Sequence, residues 1–264
     1  MPPKVSIILP THNGSRYLLE SISSCLNQSF NDFELLVVDD CSTDDTPEIL
    51  RSVSDPRLRV IQLEVNRKLP GALNAGFEQA QGEYHTWTSD DNLYLPGALA
   101  RMVDFLDQNP RMDGVYTDTF RLLDEKRMGR WHSGPSFHLT KMQIVGACFL
   151  YRGTLWDRVG RYDESSFLVE DYDWWVRAWK SGARLKHLPE VWYEYRIHSN
   201  SLGESHGRSV VHDKKTAVRN RHFSKGELFF WELWYRLRRI GLYVLDRERF
   251  RRERWVGQTE PLET

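Results

Sequence analysis

The sequence predicts an α/β fold around a mostly parallel sheet, and three observations carry that prediction. Short apolar runs rich in β-branched residues alternate with helical patterns of about ten to fifteen residues, the rhythm of strand–helix–strand units. Polar clusters fall just beyond the carboxyl ends of several of these runs, where open α/β sheets bind ligands. No apolar segment reaches the roughly 20 residues needed to span a bilayer.

The elements follow in order. Residues 5–10 form a β-branched run closed by Pro10, the pattern of a buried strand, and the polar turn Thr11-His12-Asn13-Gly14 leads into a helical pattern over 15–27. A second buried strand, 33–38, ends at Asp39-Asp40-Cys41-Ser42. Thr46-Pro47 reads as an N-cap followed by Pro at the first helical position, predicting a helix to about Ser52. A third strand covers 58–63, and a helix with small residues on one face covers 70–81. Residues 84–87 form a fourth strand, Pro96 opens a helix to Asn109, and 114–120 is a fifth strand. After Arg121 the regularity breaks. Gly134-Pro135-Ser136 marks a loop, 144–151 is a strand candidate, and 171–180 is a helix with Trp174, Ala178 and Trp175 on its buried side. Residues 191–196 form another strand, followed by the polar loop 197–201. From 227 to 255 aromatic and leucine residues alternate in blocks with arginines. Strand order cannot be read from the alternation.

Composition narrows the classes of function. A chain of 264 residues is long enough for one large domain with a substantial core. Net charge −1 and a pI near 6.8 give no field for nucleic acid. Three scattered cysteines, Cys25, Cys41 and Cys148, lack metal-type spacing, and their odd number argues against a disulfide framework, so a cytoplasmic setting is expected. The start at Met1-Pro2-Pro3-Lys4 runs directly into the first strand, without the pattern of a signal peptide.

The most informative run is Ser89-Asp90-Asp91-Asn92, an acidic turn at the end of the fourth strand. Two adjacent carboxylates cannot both be buried unpaired, since each would cost several kcal/mol in desolvation. A cation, a basic side chain or a helix N-terminus must face them, and a metal-bound nucleotide is expected there. For Asp39-Asp40 an Asx turn capping the next helix weighs equally with a ligand role. Glu170-Asp171-Tyr172-Asp173 offers three acids to a helix N-terminus. Capping needs only one of them, so a second acidic site suggests a proton acceptor separate from the cation site.

Taken together and in order, residues 5–13, 37–46, 72–76, 82–84, 89–91, 160–163 and 170–175 resemble the family-two inverting glycosyltransferases, over roughly residues 4 to 202. Within that family, 82–96 is similar to the spore coat polysaccharide glycosyltransferase. The resemblance implies a GT-A fold, a nucleotide-sugar donor (UDP-sugar, or dTDP-sugar) and Mn²⁺ or Mg²⁺. It implies a domain over 1–225, with a nucleotide half at about 1–120 and an acceptor half at about 121–225. Residues 226–264 would be a basic extension.

Carried over residue by residue, the resemblance places Pro10, Thr11, His12 and Asn13 at the base, with His12 where the family often has a stacking Tyr. Asp39 and Asp40 follow, Asp40 accepting from the uracil N–H. Asn66 and Lys68 fall near base and diphosphate. Ser89 and Asp90 hold the ribose side, and Asp91 binds the metal, with His198 of an Arg-x-His loop closing over metal or diphosphate. Asp171 matches the general base. Gly146, Cys148, Glu170, Trp174 and Trp175 would wall the acceptor, a saccharide or lipid-linked glycan. Thr88 departs from the pattern, since many relatives carry a further Asp there.

The arginine-rich tail either packs on the domain, self-associates or lies on an anionic membrane surface, and packing is the default. A catalytically silent nucleotide- or glycan-binding scaffold is the alternative function, resting on Thr88 alone. A dinucleotide oxidoreductase is disfavoured because no Gly-x-Gly-x-x-Gly follows the first strand. A nucleotidyltransferase is disfavoured because the first loop lacks a glycine-rich triphosphate cradle.

Overall fold

The computed structural model describes residues 1–123, 125–245 and 256–262. Its elements in chain order are β1 (Val5–Thr11), α1 (Leu18–Leu26), β2 (Phe33–Asp39), α2 (Thr46–Ser52), β3 (Leu58–Gln62), α3 (Lys68–Phe77) and β4 (Tyr84–Trp87). There follow β5 (Leu93–Tyr94), α4 (Ala98–Gln108), β6 (Gly114–Leu123), β7 (Lys126–Trp131), β8 (Phe149–Arg152), α5 (Gly153–Val159) and α6 (Glu170–Lys180). The chain continues with β9 (Leu185–Ile197), α7 (Leu202–Ser205), α8 (Arg208–His222), α9 (Lys225–Leu245) and β10 (Thr259–Pro261).

The strands form one sheet in the order β10-β7-β6-β8-β4-β1-β2-β3, with β9 alongside β6 and β5. Its parallel part is β3-β2-β1-β4, and β6 and β9 are also parallel. The predicted α/β architecture is present. Every residue of β1 is buried, as expected for a central strand covered on both faces. Val5, Ile7 and Leu9 pack under α1 and α4, while Ile8 faces the core built with α3 and α6. Strand alternation thus feeds two apolar layers from one run.

Several boundaries differ from expectation for physical reasons. Helix α4 begins at Ala98, not Pro96, because Gly97 at φ +88 turns the chain first. The 144–151 run is strand only from Phe149. Ile144 and Val145 are buried without ladder pairing, and burial alone produces the same apolar signal as a strand. β9 extends back to Leu185, with register shifts against β6 near Asp118. β7, α5, α8 and β10 were not anticipated, being short or rich in charged residues.

The described part of the carboxyl-terminal segment packs on the domain. Trp231 meets Trp179 at 5.5 Å, Trp234 meets Phe137 at 4.8 Å, and Tyr235 Oη donates to Phe137 O at 3.0 Å. Phe229, Phe230, Leu233 and Leu237 remain exposed. β10 then pairs antiparallel with β7, Thr259 opposite Trp131. The arginines at 247, 249, 251, 252 and 254 lie outside the described residues. Among the described residues no helix is long and apolar enough to cross a membrane.

Candidate functional site: an acidic cleft across the strand ends

A cleft of about 570 Å³ opens over the carboxyl ends of β1 and β4 and runs to the start of α6. Pro10, Thr11, His12, Asn13 and Gly14 form one wall. Asn13 sits in the left-handed region (φ 54), which asparagine tolerates. Its Oδ1 accepts from Thr43 N at 2.8 Å, and its own N–H donates to Ser42 Oγ at 2.9 Å, so this turn is locked to the one after β2. His12 Nδ1 lies 2.9 Å from Asp40 O. Because a carbonyl only accepts, Nδ1 carries the proton.

Asp40 is buried and lines the cleft, and its Oδ1 accepts from Arg67 N at 2.7 Å. Burial pushes its carboxyl above the usual range, opposed chiefly by that N–H. Asp39, its neighbour, is a correction. It lies off the cleft lining and takes the N–H of Ser42 at 2.9 Å, the Asx-turn role. Asn66 and Lys68 both reach the lining. Asn66 Oδ1 holds Lys68 N at 2.9 Å, Lys68 itself has φ 60, and its ammonium sits 5.0 Å over the Phe167 ring.

Ser89, Asp90 and Asp91 line the floor. Ser21 Oγ donates to Ser89 O at 2.7 Å, tying α1 to the acidic turn. Thr11 Oγ1 donates to Asp90 Oδ2 at 2.6 Å, and burial followed by the Asp91 charge pushes the Asp90 carboxyl up to about 7. A Cβ on Gly14 would stand 2.1 Å from Asp90 Oδ2 and 2.5 Å from Thr11 Oγ1, so only glycine leaves room for this pair. Asp91 Oδ2 meets His198 Nε2 at 2.9 Å, while Oδ1 is buried with no hydrogen-bond partner among the described residues. Burial raises the Asp91 carboxyl, and the His198 hydrogen bond opposes it.

Arg196 beneath this turn escaped the sequence reading, although the Arg-x-His loop was noted. It is buried, pairs with Glu20 at 2.8 Å and Glu125 at 2.9 Å, and donates to Asp91 O at 2.6 Å. Its guanidinium lies 4.1 Å over Tyr17, whose ring meets His198 at 5.2 Å. Thr88 points away from the cleft and shares a 2.6 Å hydrogen bond with Tyr193 Oη. A carboxylate there would be one more buried acid without a cation.

Across the cleft, Asp171 accepts from Gln143 Nε2 at 2.8 Å through Oδ2 and from Tyr172 N at 2.6 Å through Oδ1. Burial raises its carboxyl, and the nearby Lys215 opposes the shift. Glu170 is also buried, with Oε2 unpartnered among the described residues, and burial plus the Asp171 charge raise its carboxyl. Leu168, at φ 80, puts a strained turn just before α6. Strain of this kind costs about 1–3 kcal/mol and tends to collect at functional sites.

Of the expected acceptor residues, Gly146, Glu170 and Trp175 line the cleft. Trp174 and Cys148 do not, and both are corrections. Trp174 is fully buried and donates to Gly160 O at 2.9 Å, because adjacent helical positions face different ways. Cys148 is buried toward the α1 and α4 layer, opposite to the cleft-lining Gly146 and Phe149 of that stretch. Gln143 and Lys215 carried no motif in the sequence and are recognisable only from their positions beside Asp171.

Residues 6–155, more than half of the chain, match glycosyl transferase family 2, and the chain belongs to that family. It is 30% identical over 210 residues to an uncharacterized glycosyltransferase of Rickettsia prowazekii (strain Madrid E), covering 75% of this chain and 65% of the relative. The chain thus spans just under two thirds of that relative's length. It is 31% identical over 211 residues to EpsE of Bacillus subtilis (strain 168), covering 76% of this chain and 75% of EpsE. Among solved structures, S. aureus TarS 1–349 in complex with UDP superposes with a TM-score of 0.65 at 25% identity, covering 86% of this chain and 74% of that one.

Proposed function

We propose that this chain is an inverting glycosyltransferase that moves a sugar from a uridine or thymidine diphosphate sugar to a hydroxyl of a saccharide or lipid-linked glycan. One observation carries the reading: Asp91 and Asp171, acids from two motifs well separated in the chain, line the same cleft. The TarS complex with UDP supports a uridine donor, as does the Asp40 carboxylate, an acceptor group suited to a ring N–H. The nucleotide half is read as about 1–120, the acceptor half as about 121–225, and 226–264 as an extension.

A divalent cation fits the residues present. Asp91 Oδ1 is a buried, unpartnered carboxylate oxygen, the hard donor that Mn²⁺ or Mg²⁺ takes, and His198 stands beside it. Among the described residues no cluster of three ligating side chains occurs, so Asp91 and His198 would hold the ion together with diphosphate and water. When bound, the ion would offset the charge on the leaving diphosphate.

The chain's own groups do the rest. Asp171 takes the proton from the acceptor hydroxyl, oriented by Gln143. The freed oxygen attacks the anomeric carbon from the face opposite the diphosphate, which inverts that centre. Lys68 faces the diphosphate, and His12 offers its ring to the base. The scaffold alternative rests on Thr88, whose hydroxyl bonds Tyr193 in the core.

A thermal-shift screen of nucleotides with Mn²⁺ tests the reading. UDP should raise Tm for wild type and for Asp171→Asn, while Asp171→Asn should lose transfer by about 10²-fold or more. Normal transfer by Asp171→Asn would refute the assignment of the base, and no shift with any nucleotide would refute the donor class.

A further inference from the structure

The cleft has a wall that the proposed reaction does not use. It is built on one face of three adjacent strands, β7, β6 and β9. In the register of β6 with β7, Trp131 stands directly opposite Thr119, and in that of β6 with β9, Tyr195 stands directly opposite Arg121. Residues 119 and 121 point to the same face because strand side chains alternate. The four side chains therefore form a single shelf, and all four line the cleft.

Contacts within the shelf fix its shape. The Arg121 guanidinium lies 4.5 Å from the Trp131 ring centroid and 5.5 Å from that of Tyr195, so a flat cation is layered between two flat rings. Such contacts hold the guanidinium against the rings. The sheet ladder sets the spacing, leaving less to be ordered on binding than in a loop-built site. Trp131 is half-buried and part of its ring stays open to the cleft.

The shelf joins the acceptor side of the cleft. A Cβ placed on Gly146 would stand 3.6 Å from Thr119 Cγ2 and 3.6 Å from Ser133 Oγ, so the 143–147 stretch lies against the shelf. Gln143 from that same stretch holds Asp171. A continuous surface therefore runs from the proposed base, past Gly146, to Trp131.

We propose that this shelf is a second sugar subsite: Trp131 stacks against the apolar face of the pyranose next to the one whose hydroxyl reacts. The inference rests on the glycosyltransferase reading above and names its acceptor class, a saccharide of at least two sugars. A pyranose presents C–H groups on its faces and hydroxyls round its edge. An indole lining the cleft beside planar polar groups matches both. Arg121 and Gln143 would take the edge hydroxyls, with Arg121 also holding the indole in place.

The test uses the full chain with UDP and Mn²⁺ on an array of immobilised mono-, di- and trisaccharides, with a UDP thermal shift measured in parallel. Wild type should bind particular di- or trisaccharides at least about tenfold better than the matching monosaccharides. Trp131→Ala should lose that gain while keeping the UDP shift, and Trp131→Phe should stay within about threefold of wild type. Three results would overturn the subsite: unchanged binding by a Trp131→Ala that still shifts with UDP, equal binding of mono- and disaccharides, or a wild type that shifts with UDP yet binds no saccharide. If Trp131→Ala fails to shift with UDP, Trp131→Phe decides, and its loss of discrimination with the UDP shift intact would also overturn the stacking role. A wild type that shows no UDP shift would refute the donor reading instead, which separates the two failures.

Discussion

Gln143 Nε2 donates a 2.8 Å hydrogen bond to Asp171 Oδ2, joining the irregular stretch before β8 to the first turn of α6. A bond to the charged form of a carboxylate favours ionisation and lowers its pKa. It therefore opposes the burial that raises Asp171. In Gln143→Ala the Asp171 carboxyl should move further up, because the donor is lost while burial remains. The ionised base is needed, so the rising limb of transfer against pH should shift to higher pH. Transfer at a fixed pH on that rising limb should fall, with UDP binding retained. A pH–rate profile for each variant checks this, and coincident limbs would contradict the role given to Gln143.

Asp91 and His198 carry the second prediction. Asp91→Ala removes the unpartnered oxygen and should abolish the Mn²⁺-dependent part of the UDP thermal shift. His198→Ala leaves that oxygen in place, so it should weaken Mn²⁺ dependence by about tenfold without abolishing it. Manganese titrations of the thermal shift distinguish the two. Equal loss in both variants would mean that His198 is as essential as the carboxylate.

Gly14 makes the third. The Cβ of Gly14→Ala would fall 2.1 Å from Asp90 Oδ2, and no rotamer of a methyl group avoids it. Asp90 must leave its hydrogen bond with Thr11. The clash is with a carboxylate end rather than backbone, so the fold should survive with Tm within a few degrees. UDP affinity should fall by about tenfold or more, measured by calorimetry. Unchanged affinity would remove Asp90 from the nucleotide site.

How far the sequence reveals this arrangement depends on what each residue needs. Asp90, Asp91 and Asp171 were legible because a carboxylate cluster at a strand or helix end demands a partner. The strands of the parallel part were legible because burial on both faces leaves unbroken apolar runs. Trp174 and Trp175 were not separable as to role, since a single residue step along the helix decides which ring meets the cleft and which meets Gly160. Arg196 was obscure because its value lies in Glu20 and Glu125, both distant in sequence. The Thr119, Arg121, Trp131 and Tyr195 wall was invisible for the same reason. It exists only through the register of three strands, β6 and β9 longer than the apolar pattern and β7 absent from it.

The α9 segment adds a fourth prediction. Trp231, Trp234 and Tyr235 cover Trp179 and Phe137, so a chain cut after Lys225 would expose those aromatic faces to water. Losing such packing costs about 3 kcal/mol or more for each large ring removed from its site. The truncated chain should melt at least about 5 °C below the full chain and bind a hydrophobic dye before melting. An unchanged Tm would mean that α9 contributes nothing to the domain.

Glu170 gives a prediction in pH and stability. It is buried, its Oε2 has no partner among the described residues, and burial together with the Asp171 charge holds its pKa above the ordinary glutamate value. The folded state then binds more protons than the unfolded state between the two values, so stability falls as pH rises through that window. Below about pH 4.5, where both states are protonated, the group costs nothing. Glu170→Gln keeps the shape and cannot ionise. Its Tm relative to wild type should therefore climb as pH rises from about 5 to 7, by roughly 3 °C per unit while one extra proton is held. Melting curves across that range check it. A constant difference would mean that Glu170 ionises as easily folded as unfolded, and a shrinking one that some cation in the cleft already compensates its charge.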